Sequence, residues 1–157
     1  MFTDGQVDGV LIKKLEKYSD GRGWLIELFR SDETAEEIFP KMSYISMTEP
    51  GTARGPHEHI DQTDYFCFVG PSTFKLYLWD NREDSKTYKN RMVFTAGADE
   101  PTVVVVPPRV VHAYKNIGEE SGFVVNCPNR LFMGEDKAEP VDEVRYENVA
   151  DSPYIID

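Results

Sequence analysis

Short strand-like segments separated by turn residues make up most of the chain, and this succession limits the folds that the chain can adopt. In the segment FKLYLWD, the apolar residues Phe74, Leu76 and Leu78 occupy every second position, which is the pattern of a β-strand with one buried face. The apolar run TVVVV at 102–106 is closed by two prolines. Many strands at short spacing, with almost no helix, predict an all-β protein with a closed antiparallel barrel or a sandwich.

Three other segments carry local predictions. Residues 9–18 lead through the turn SDGRG into residues 24–29, which is the pattern of a strand, a turn and a second strand. Ser31 is a candidate N-cap with acidic residues in the following turn, so residues 31–39 are predicted to form one short helix. The acidic tail from Gly134 onward has fewer apolar residues, and we expect it to wrap the outside of the barrel.

Length and charge narrow the functional classes. A chain of 157 residues is long enough for one domain with a hydrophobic core, so we expect a single domain over residues 1–157. No apolar run approaches the roughly 20 residues that cross a bilayer. The N-terminus also lacks the features of a secretory signal, so we expect a cytoplasmic protein. The formal net charge of −11 argues against nucleic acid and anionic membrane surfaces as partners.

The two cysteines, Cys67 and Cys127, lie in the apolar segments YFCFV and FVVNC. Their spacing matches no zinc motif, and a cytoplasmic compartment does not maintain disulfides. We therefore expect both residues to be reduced thiols in the core.

The three histidines are the most informative residues for function. His57 and His59 are separated by one residue, and residues i and i+2 of a strand point to the same face. If the strand predicted over residues 57–69 lines a barrel, both imidazoles enter its lumen while Glu58 points away. His112 follows the apolar strand, in the segment PPRVVHAYKN.

All three histidines fall on positions of two known sequence motifs. The first has the form G-x5-H-x-H-x3,4-E-x6-G, and its residues here are Gly51, His57, His59, Thr63 or Asp64 at the acidic position, and Gly70. The second ends in P-x-G-x2-H-x3-N, and its residues here are Pro107, Arg109 in place of the glycine, His112 and Asn116. The chain thus resembles the cupin superfamily, which implies a β-barrel of the double-stranded β-helix, or jelly-roll, type with little helix.

Within that superfamily the chain resembles the dTDP-4-dehydrorhamnose 3,5-epimerase family of sugar-nucleotide enzymes. Five segments in family order carry the resemblance over nearly the whole chain: GVLIKKLEKYSDGRGWLIELF, RGPH, DNREDSKTY, VPPRVVH and ADSPYIID. It implies an isomerase without a cofactor that acts on a dTDP-4-keto-6-deoxyhexose or a similar keto-sugar nucleotide, in the biosynthesis of rhamnose or other deoxysugars for a polysaccharide. It also implies a homodimer whose subunits exchange strands of the N-terminal region.

The resemblance implies roles for individual residues. His57, in the segment RGPH, corresponds to the general base that removes the proton beside the 4-keto group, and an imidazole titrating near neutral pH suits that task. Arg54 and His112 would stabilise the resulting enolate. Arg22 and Glu27 would hold the nucleotide diphosphate, to which an arginine can donate paired, charge-assisted hydrogen bonds. The alternative for Arg22 is a solvated charge in a tight turn.

Several positions depart from the family pattern. Leu131 stands where the family has its catalytic tyrosine, and leucine has no proton to donate. Met42 and Tyr44 stand where family members recognise the nucleotide base. The segment that carries the family's orienting carboxylate would lie beyond Asp157, so we expect no such carboxylate beside His57.

His59 and Lys75 add further predictions. The segment RGPHEH also resembles the R-G-x-H-A-H segment of dTDP-sugar 3,4-ketoisomerases. His59 is therefore a candidate second proton carrier for transfer on one face of the sugar, and the sequence leaves epimerisation and ketoisomerisation both open. Lys75 and Arg130 are candidate substrate-binding residues for the phosphates.

Two other functions compete with this one. Three neutral imidazoles converging in a barrel, those of His57, His59 and His112, would suit one divalent transition metal, with or without Asp64 or Gln62. Such a cupin would be a metal-dependent oxygenase or isomerase. Because the resemblance is to a metal-free family, we favour a site without metal. The third function is a barrel that binds a sugar nucleotide without catalysis, because the tyrosine and the orienting acid are absent from their usual positions.

Overall fold

The computed structural model describes all 157 residues and is built almost entirely of β-strands. The strands are β1 (Thr3–Asp4), β2 (Leu11–Lys14), β3 (Lys17–Asp20), β4 (Gly23–Ile26), β5 (Tyr44–Thr48), β6 (Ala53–Glu58), β7 (Asp64–Gly70), β8 (Thr73–Asp80), β9 (Asn90–Gly97), β10 (Thr102–Val106), β11 (Val110–Asn116), β12 (Gly122–Asn126) and β13 (Val144–Arg145). Three single 3-10 turns lie at Ser31–Glu33, Glu36–Ile38 and Glu135–Lys137. No helix has the length and apolar content that crossing a membrane requires.

Two sheets form the barrel. One has six strands in the order β1-β9-β8-β11-β6-β13, and the other has five in the order β2-β10-β7-β12-β5. Strands β3 and β4 pair only with each other, as a separate hairpin. All pairings are antiparallel except that of β1 with β9. This architecture confirms the predicted all-β cupin barrel.

The inward faces of both sheets meet in one apolar core. Many of its members come from alternate positions of neighbouring strands, as the period-2 pattern predicts: Phe66, Phe68, Phe74, Leu76, Leu78, Val104 and Val106. Full burial of one such side chain stabilises the fold by about 1.5–3 kcal/mol relative to its exposure. The core therefore closes the barrel along most of its length and leaves one end for a site.

Both sheets are also covered on their outer faces, which explains why the apolar run at 102–106 does not alternate with polar residues. Val103 and Val105 face outward from β10 and pack with Leu28, Phe29 and Ile38 in the segment after the hairpin. A strand buried on both faces reads as a continuous apolar run.

The C-terminal residues cover the outer face of the other sheet. Tyr77 and Trp79 of β8 are almost fully buried there, and the ring centroid of Trp79 lies 5.5 Å from that of Tyr154. The hydroxyl of Tyr77 donates to Asp157. The last part of the acidic tail therefore does lie on the outside of the barrel.

Three local predictions differ from the structure. The strand predicted over 9–18 is divided into β2 and β3. The segment at 31–39 is not one helix but two 3-10 turns, and no side chain caps either turn. This segment is shorter than the about 12–15 residues that a helix needs to persist without strong packing. The strand predicted over 57–69 is interrupted, because β6 ends at Glu58 and β7 begins at Asp64.

Candidate functional site

A cavity of about 1270 Å³ opens at one end of the barrel. Its walls come from β5, β6 and β11, from the 59–62 loop and from the segment 128–147. The tail from Gly134 was expected to wrap the outside, but its first part forms one side of this cavity. The volume exceeds the roughly 300–1,000 Å³ of common small-molecule pockets, so a nucleotide sugar has room.

Strand register places two histidines side by side. His57 of β6 and His112 of β11 are direct partners in the ladder, and their ring centroids are 4.4 Å apart. Gly55 makes this approach feasible, because its φ is +81° and a Cβ there would lie 2.5 Å from the carbonyl oxygen of His112. Only glycine combines that backbone angle with that contact.

His59 joins the cluster from the loop after β6 rather than from a strand. Its ring centroid lies 5.4 Å from that of His57 and 5.9 Å from that of His112. The backbone carbonyl of Asp142 accepts a hydrogen bond from His59 Nδ1. The side-chain carboxylate of the same residue accepts hydrogen bonds of 2.8–3.0 Å from the backbone N–H groups of Ile60, Asp61 and Gln62. Asp142, a residue of the tail, therefore holds both the His59 ring and the loop that carries it.

A fully buried carboxylate, that of Asp64, lies between two of the imidazoles. Its Oδ2 atom is 3.2 Å from His59 Nε2 and 3.3 Å from His112 Nε2. Its Oδ1 atom accepts hydrogen bonds from Gln62 Nε2 at 2.9 Å and Asn126 Nδ2 at 2.8 Å. Burial alone would raise the pKa of Asp64, but the contacts with His112 and His59 outweigh it and hold the pKa well below its usual value. Asp64 is therefore an anion that both rings share.

The two histidines of the RGPHEH segment differ in protonation. Burial by itself lowers the pKa of His59, but the negative charge of the adjacent Asp64 carboxylate outweighs it and raises the pKa to about 9. Burial, together with the neighbouring imidazoles of His112 and His59, lowers the pKa of His57 to about 2. At neutral pH, His59 is therefore a cation and His57 is a neutral base.

A carboxylate lies beside His57, although the sequence predicted none. Glu143 Oε1 is 3.8 Å from His57 Nδ1, and that nitrogen is buried without a hydrogen-bond partner. His57 Nε2 makes no hydrogen bond within the chain, and the ring lines the cavity. The prediction of no orienting carboxylate was wrong, because the tail folds back over the open end of the barrel and brings Glu143 next to His57.

Arg54 also lies in the cavity wall. Its Nε donates to Thr48 Oγ1 at 3.0 Å, and its Nη2 donates to the carbonyl oxygen of Met47 at 2.6 Å. These bonds fix the guanidinium at the rim of β5. Three further cations line the same cavity: Arg130, Lys137 and Arg145. Arg130 pairs with Asp61 at 3.1 Å and Arg145 pairs with Glu143 at 2.8 Å, so part of this positive charge is balanced within the cavity wall.

Three of the predicted substrate-binding residues lie elsewhere in this chain. Arg22 is in the β3–β4 turn, its side chain is 91 % exposed, and it pairs with Asp20. Glu27 pairs with Arg30 away from the cavity. Lys75 points outward from β8 and pairs with Asp157 at 2.7 Å, because it alternates with inward-facing neighbours. Its side chain therefore lies outside the cavity that this chain forms.

Several residues of the site were not predicted from the sequence. Asn126 had a usable signal, because it is a polar residue at an inward position of the apolar segment FVVNC. Asp142 and Glu143 had none, because they belong to a segment without regular structure whose path depends on long-range contacts. Leu131, at the position of the family's tyrosine, does line the cavity.

The residues present also fit a divalent metal ion. One ligand atom from each of His57, His59, Asp64 and His112 lies within 4.8 Å of the others. His112 Nδ1 donates to the carbonyl oxygen of Val110 at 3.0 Å, so the neutral ring would offer its Nε2 lone pair to a metal. That Nε2 atom and Asp64 Oδ2 are both buried without a hydrogen-bond partner. Imidazole nitrogens and a carboxylate are ordinary ligands of Zn, Fe or Mn.

Comparison with known proteins places the chain in a family. The model of the family described as dTDP-4-dehydrorhamnose 3,5-epimerase matches residues 4–141. The probable low-salt glycan biosynthesis epimerase Agl13 of Haloferax volcanii is 39 % identical over 135 residues, which are 85 % of each chain. The spore coat polysaccharide biosynthesis protein SpsL of Bacillus subtilis is 40 % identical over 113 residues, 72 % of this chain and 74 % of that protein.

A solved structure shows the same fold. The dTDP sugar isomerase from Desulfovibrio desulfuricans superposes with a TM-score of 0.79 at 22 % identity, over 95 % of this chain and 89 % of the other. The family model matches most of the chain. The chain belongs to the dTDP-4-dehydrorhamnose 3,5-epimerase family, and it is an isomerase-class enzyme of nucleotide-sugar metabolism.

Proposed function

We propose that this enzyme transfers protons at a carbon beside the keto group of a dTDP-linked 4-keto-6-deoxyhexose, through an enolate, in the synthesis of a surface polysaccharide. Membership of the epimerase family supports the reaction class. The names of the two relatives, which refer to glycan and spore coat polysaccharide biosynthesis, support the pathway class.

The observation that carries the proposal is the position of His57. Its ring lines the cavity, its Nε2 is free of hydrogen bonds, and Glu143 lies within reach of its Nδ1. A carboxylate that accepts the Nδ1–H bond would set the tautomer in which Nε2 removes a proton. The 3.8 Å separation is longer than a hydrogen bond, and such contacts often shorten when substrate binds.

The remaining groups of the cluster are suited to stabilise the enolate. His112 lies against His57, and Arg54 is held at the rim of the same cavity. His59 has Nδ1 committed to Asp142 and Nε2 beside Asp64, so it supplies positive charge rather than a free nitrogen for proton exchange. Fixed charges and hydrogen-bond donors beside a developing negative charge are a large source of catalysis.

Solvent deuterium exchange tests the proposal. The wild-type enzyme, incubated in D₂O with dTDP-4-keto-6-deoxyglucose, should incorporate deuterium beside the keto group, as measured by NMR. His57→Gln should lower the exchange rate by about 100-fold or more. Its melting temperature provides the folding control. Exchange at the wild-type rate in a folded His57→Gln variant would remove His57 from the role of base.

We also propose that the enzyme is a homodimer. The β3–β4 hairpin makes no strand pairing with the barrel and exposes Tyr18, Trp24 and Leu25. Strand β5 is an edge strand, and its outward residues Ile45 and Met47 are exposed. Exposed apolar patches and open sheet edges are commonly covered by a partner.

A second copy would explain the positions of Arg22 and Glu27. In a dimer with exchanged N-terminal strands, the hairpin of one copy would bring both residues to the cavity of the other. Sedimentation velocity should give twice the mass of the chain, 18.0 kDa. A monomer at micromolar concentration would contradict this assignment, and Arg22 would then be a solvated charge.

A cytoplasmic location completes the proposal. Cys67 and Cys127 are both buried free thiols, as expected in a reducing compartment. Fractionation of cells that produce the protein should recover it with cytoplasmic markers, and recovery outside the cell would contradict this location.

A metal-dependent enzyme is the second candidate function. The unpartnered buried atoms of Asp64 and His112 favour it. Elemental mass spectrometry of protein prepared without nickel resin or chelators distinguishes the two candidates. One transition metal per chain that is lost in both His57→Ala and His112→Ala would favour the metal. No metal after loading with Fe, Mn and Zn would favour proton transfer by the free histidines.

A further inference from the structure

Inversion at a carbon needs a proton donor on the wall opposite the base. His57 and His112 belong to the six-stranded sheet, so a donor for the other face of the sugar must come from the facing wall. Leu131, at the expected position, has no proton to donate. Three hydroxyl groups line the cavity, those of Tyr44, Ser46 and Tyr114.

Two of these hydroxyls are poorly placed for the task. Tyr114 is on β11, the strand of His112, and therefore on the wall of the base. Its hydroxyl and the Oγ atom of Ser46 are 3.2 Å apart and share a hydrogen bond. Ser46 is on the facing sheet, but an aliphatic hydroxyl is a much weaker acid than a phenol.

Tyr44 lies on that facing wall. It begins β5, at the edge of the five-stranded sheet that faces the histidines, and its ring lines the cavity. Its ladder partner on β12 is Asn126, so the two side chains lie next to each other on the same face.

Asn126 determines the direction of the Tyr44 proton. The Oδ1 atom of Asn126 accepts from the backbone N–H of Tyr65 at 3.0 Å, which fixes the orientation of the amide. Its Nδ2 group then donates to Tyr44 Oη at 3.0 Å and to Asp64 Oδ1 at 2.8 Å. The phenol oxygen is thus a hydrogen-bond acceptor within the chain, and its own proton has no acceptor there. That proton is free to meet a ligand.

We propose that Tyr44 donates the second proton, to the sugar face opposite His57. This inference rests on the proposed function. His57 takes the proton from the C–H bond, and the electron pair forms the enolate. The enolate carbon then takes the Tyr44 proton as the keto group re-forms, which leaves a phenolate that the Asn126 N–H group stabilises. His57 afterwards loses its proton to solvent, and Tyr44 regains one.

The acidity of Tyr44 agrees with this role. Burial raises its pKa to about 12, and the hydrogen bond from Asn126 partly opposes that increase. The phenol therefore retains its proton at neutral pH until an enolate carbon is ready to accept it.

Tyr44→Phe separates the two proton transfers. In D₂O with dTDP-4-keto-6-deoxyglucose, the variant should still exchange deuterium beside the keto group, because His57 is intact. Its rate of forming the inverted sugar should be lower than that of the wild type by about 100-fold or more. Tyr88→Phe is the control, and we expect it to invert within about three-fold of the wild-type rate, since Tyr88 is exposed and lies outside the cavity.

The outcomes distinguish this inference from the proposed function. Inversion by Tyr44→Phe at the wild-type rate would overturn the role of Tyr44. Exchange without inversion in the wild type would also overturn it but would leave His57 as the base. Neither exchange nor inversion in the wild type would overturn the proposed function and this inference with it. A Tyr44→Phe variant with wild-type melting that loses both activities would contradict a role confined to the second proton.

Discussion

The histidine cluster and the β3–β4 hairpin carry the two halves of the predicted site, and they are built in opposite ways. His57 and His112 are enclosed in the barrel, on strands paired on both sides. Arg22 lies in a hairpin that pairs with no other strand, and its side chain is 91 % exposed. The histidine cluster forms within one chain, whereas the proposed nucleotide end needs a second copy.

Substituting one residue in the histidine cluster and one in the β3–β4 hairpin should have the largest effects on the kinetics. His57→Gln should lower turnover by about 100-fold or more. Arg22→Ala should chiefly raise KM, by about ten-fold or more, since a charge-assisted contact to phosphate contributes about 1.5–3 kcal/mol. Steady-state kinetics on the same substrate measure both effects.

Mixing the two variants sharpens the comparison. If Arg22 serves the partner's cavity, a mixed dimer of His57→Gln and Arg22→Ala contains one intact site, and a statistical mixture regains about a quarter of wild-type activity. The mixture must be unfolded and refolded together so that subunits exchange. Activity no higher than the mean of the separate variants would show that the two residues do not share a site across subunits.

Substitution of Gly55 tests how closely the histidine strands approach. Gly55→Ala should destabilise the protein by about 2–5 kcal/mol, because it combines a left-handed backbone with a close contact to the His112 carbonyl. Gly51→Ala is the matched control, since Gly51 has a φ of +74° but open space around it. Gly51→Ala should lower the free energy of unfolding by about 1–2 kcal/mol. If urea unfolding shows the same loss of unfolding free energy for both variants, the close approach of β6 to β11 at Gly55 does not constrain that residue.

Asp142 tests whether the tail holds the cluster. Asp142→Ala removes the acceptor of three backbone N–H groups and should destabilise the protein by about 1–3 kcal/mol. It should also lower turnover, because the loop of His59 is released. Asp84→Ala, at an exposed position, is the control. Unchanged stability and turnover would mean that the loop is held by other contacts.

Lys75 should show the smallest effect. It lies on the outer face of β8 and pairs with Asp157, so Lys75→Ala should change KM by less than about two-fold and stability by less than about 1 kcal/mol. A large increase in KM would place Lys75 in a substrate site that a second copy completes.

Much of the fold could be predicted because it depends on local pattern. The alternation in FKLYLWD predicts the inward position of Leu76 and the outward position of Lys75, and both are observed. The same alternation puts Lys75 outside the cavity of this chain, although its charge would suit a phosphate. The short helix predicted at 31–39 failed because local propensity is weak where tertiary packing decides the backbone.

Strand periodicity and motif spacing are local properties, and they were enough to predict the barrel, the family and the three histidines. The groups that surround those histidines depend instead on how distant segments pack. Asp142 and Glu143 reach the histidines through the path of an irregular segment, and Asn126 directs the Tyr44 proton through strand register. These contacts join residues about 80 positions apart, and no local pattern encodes them.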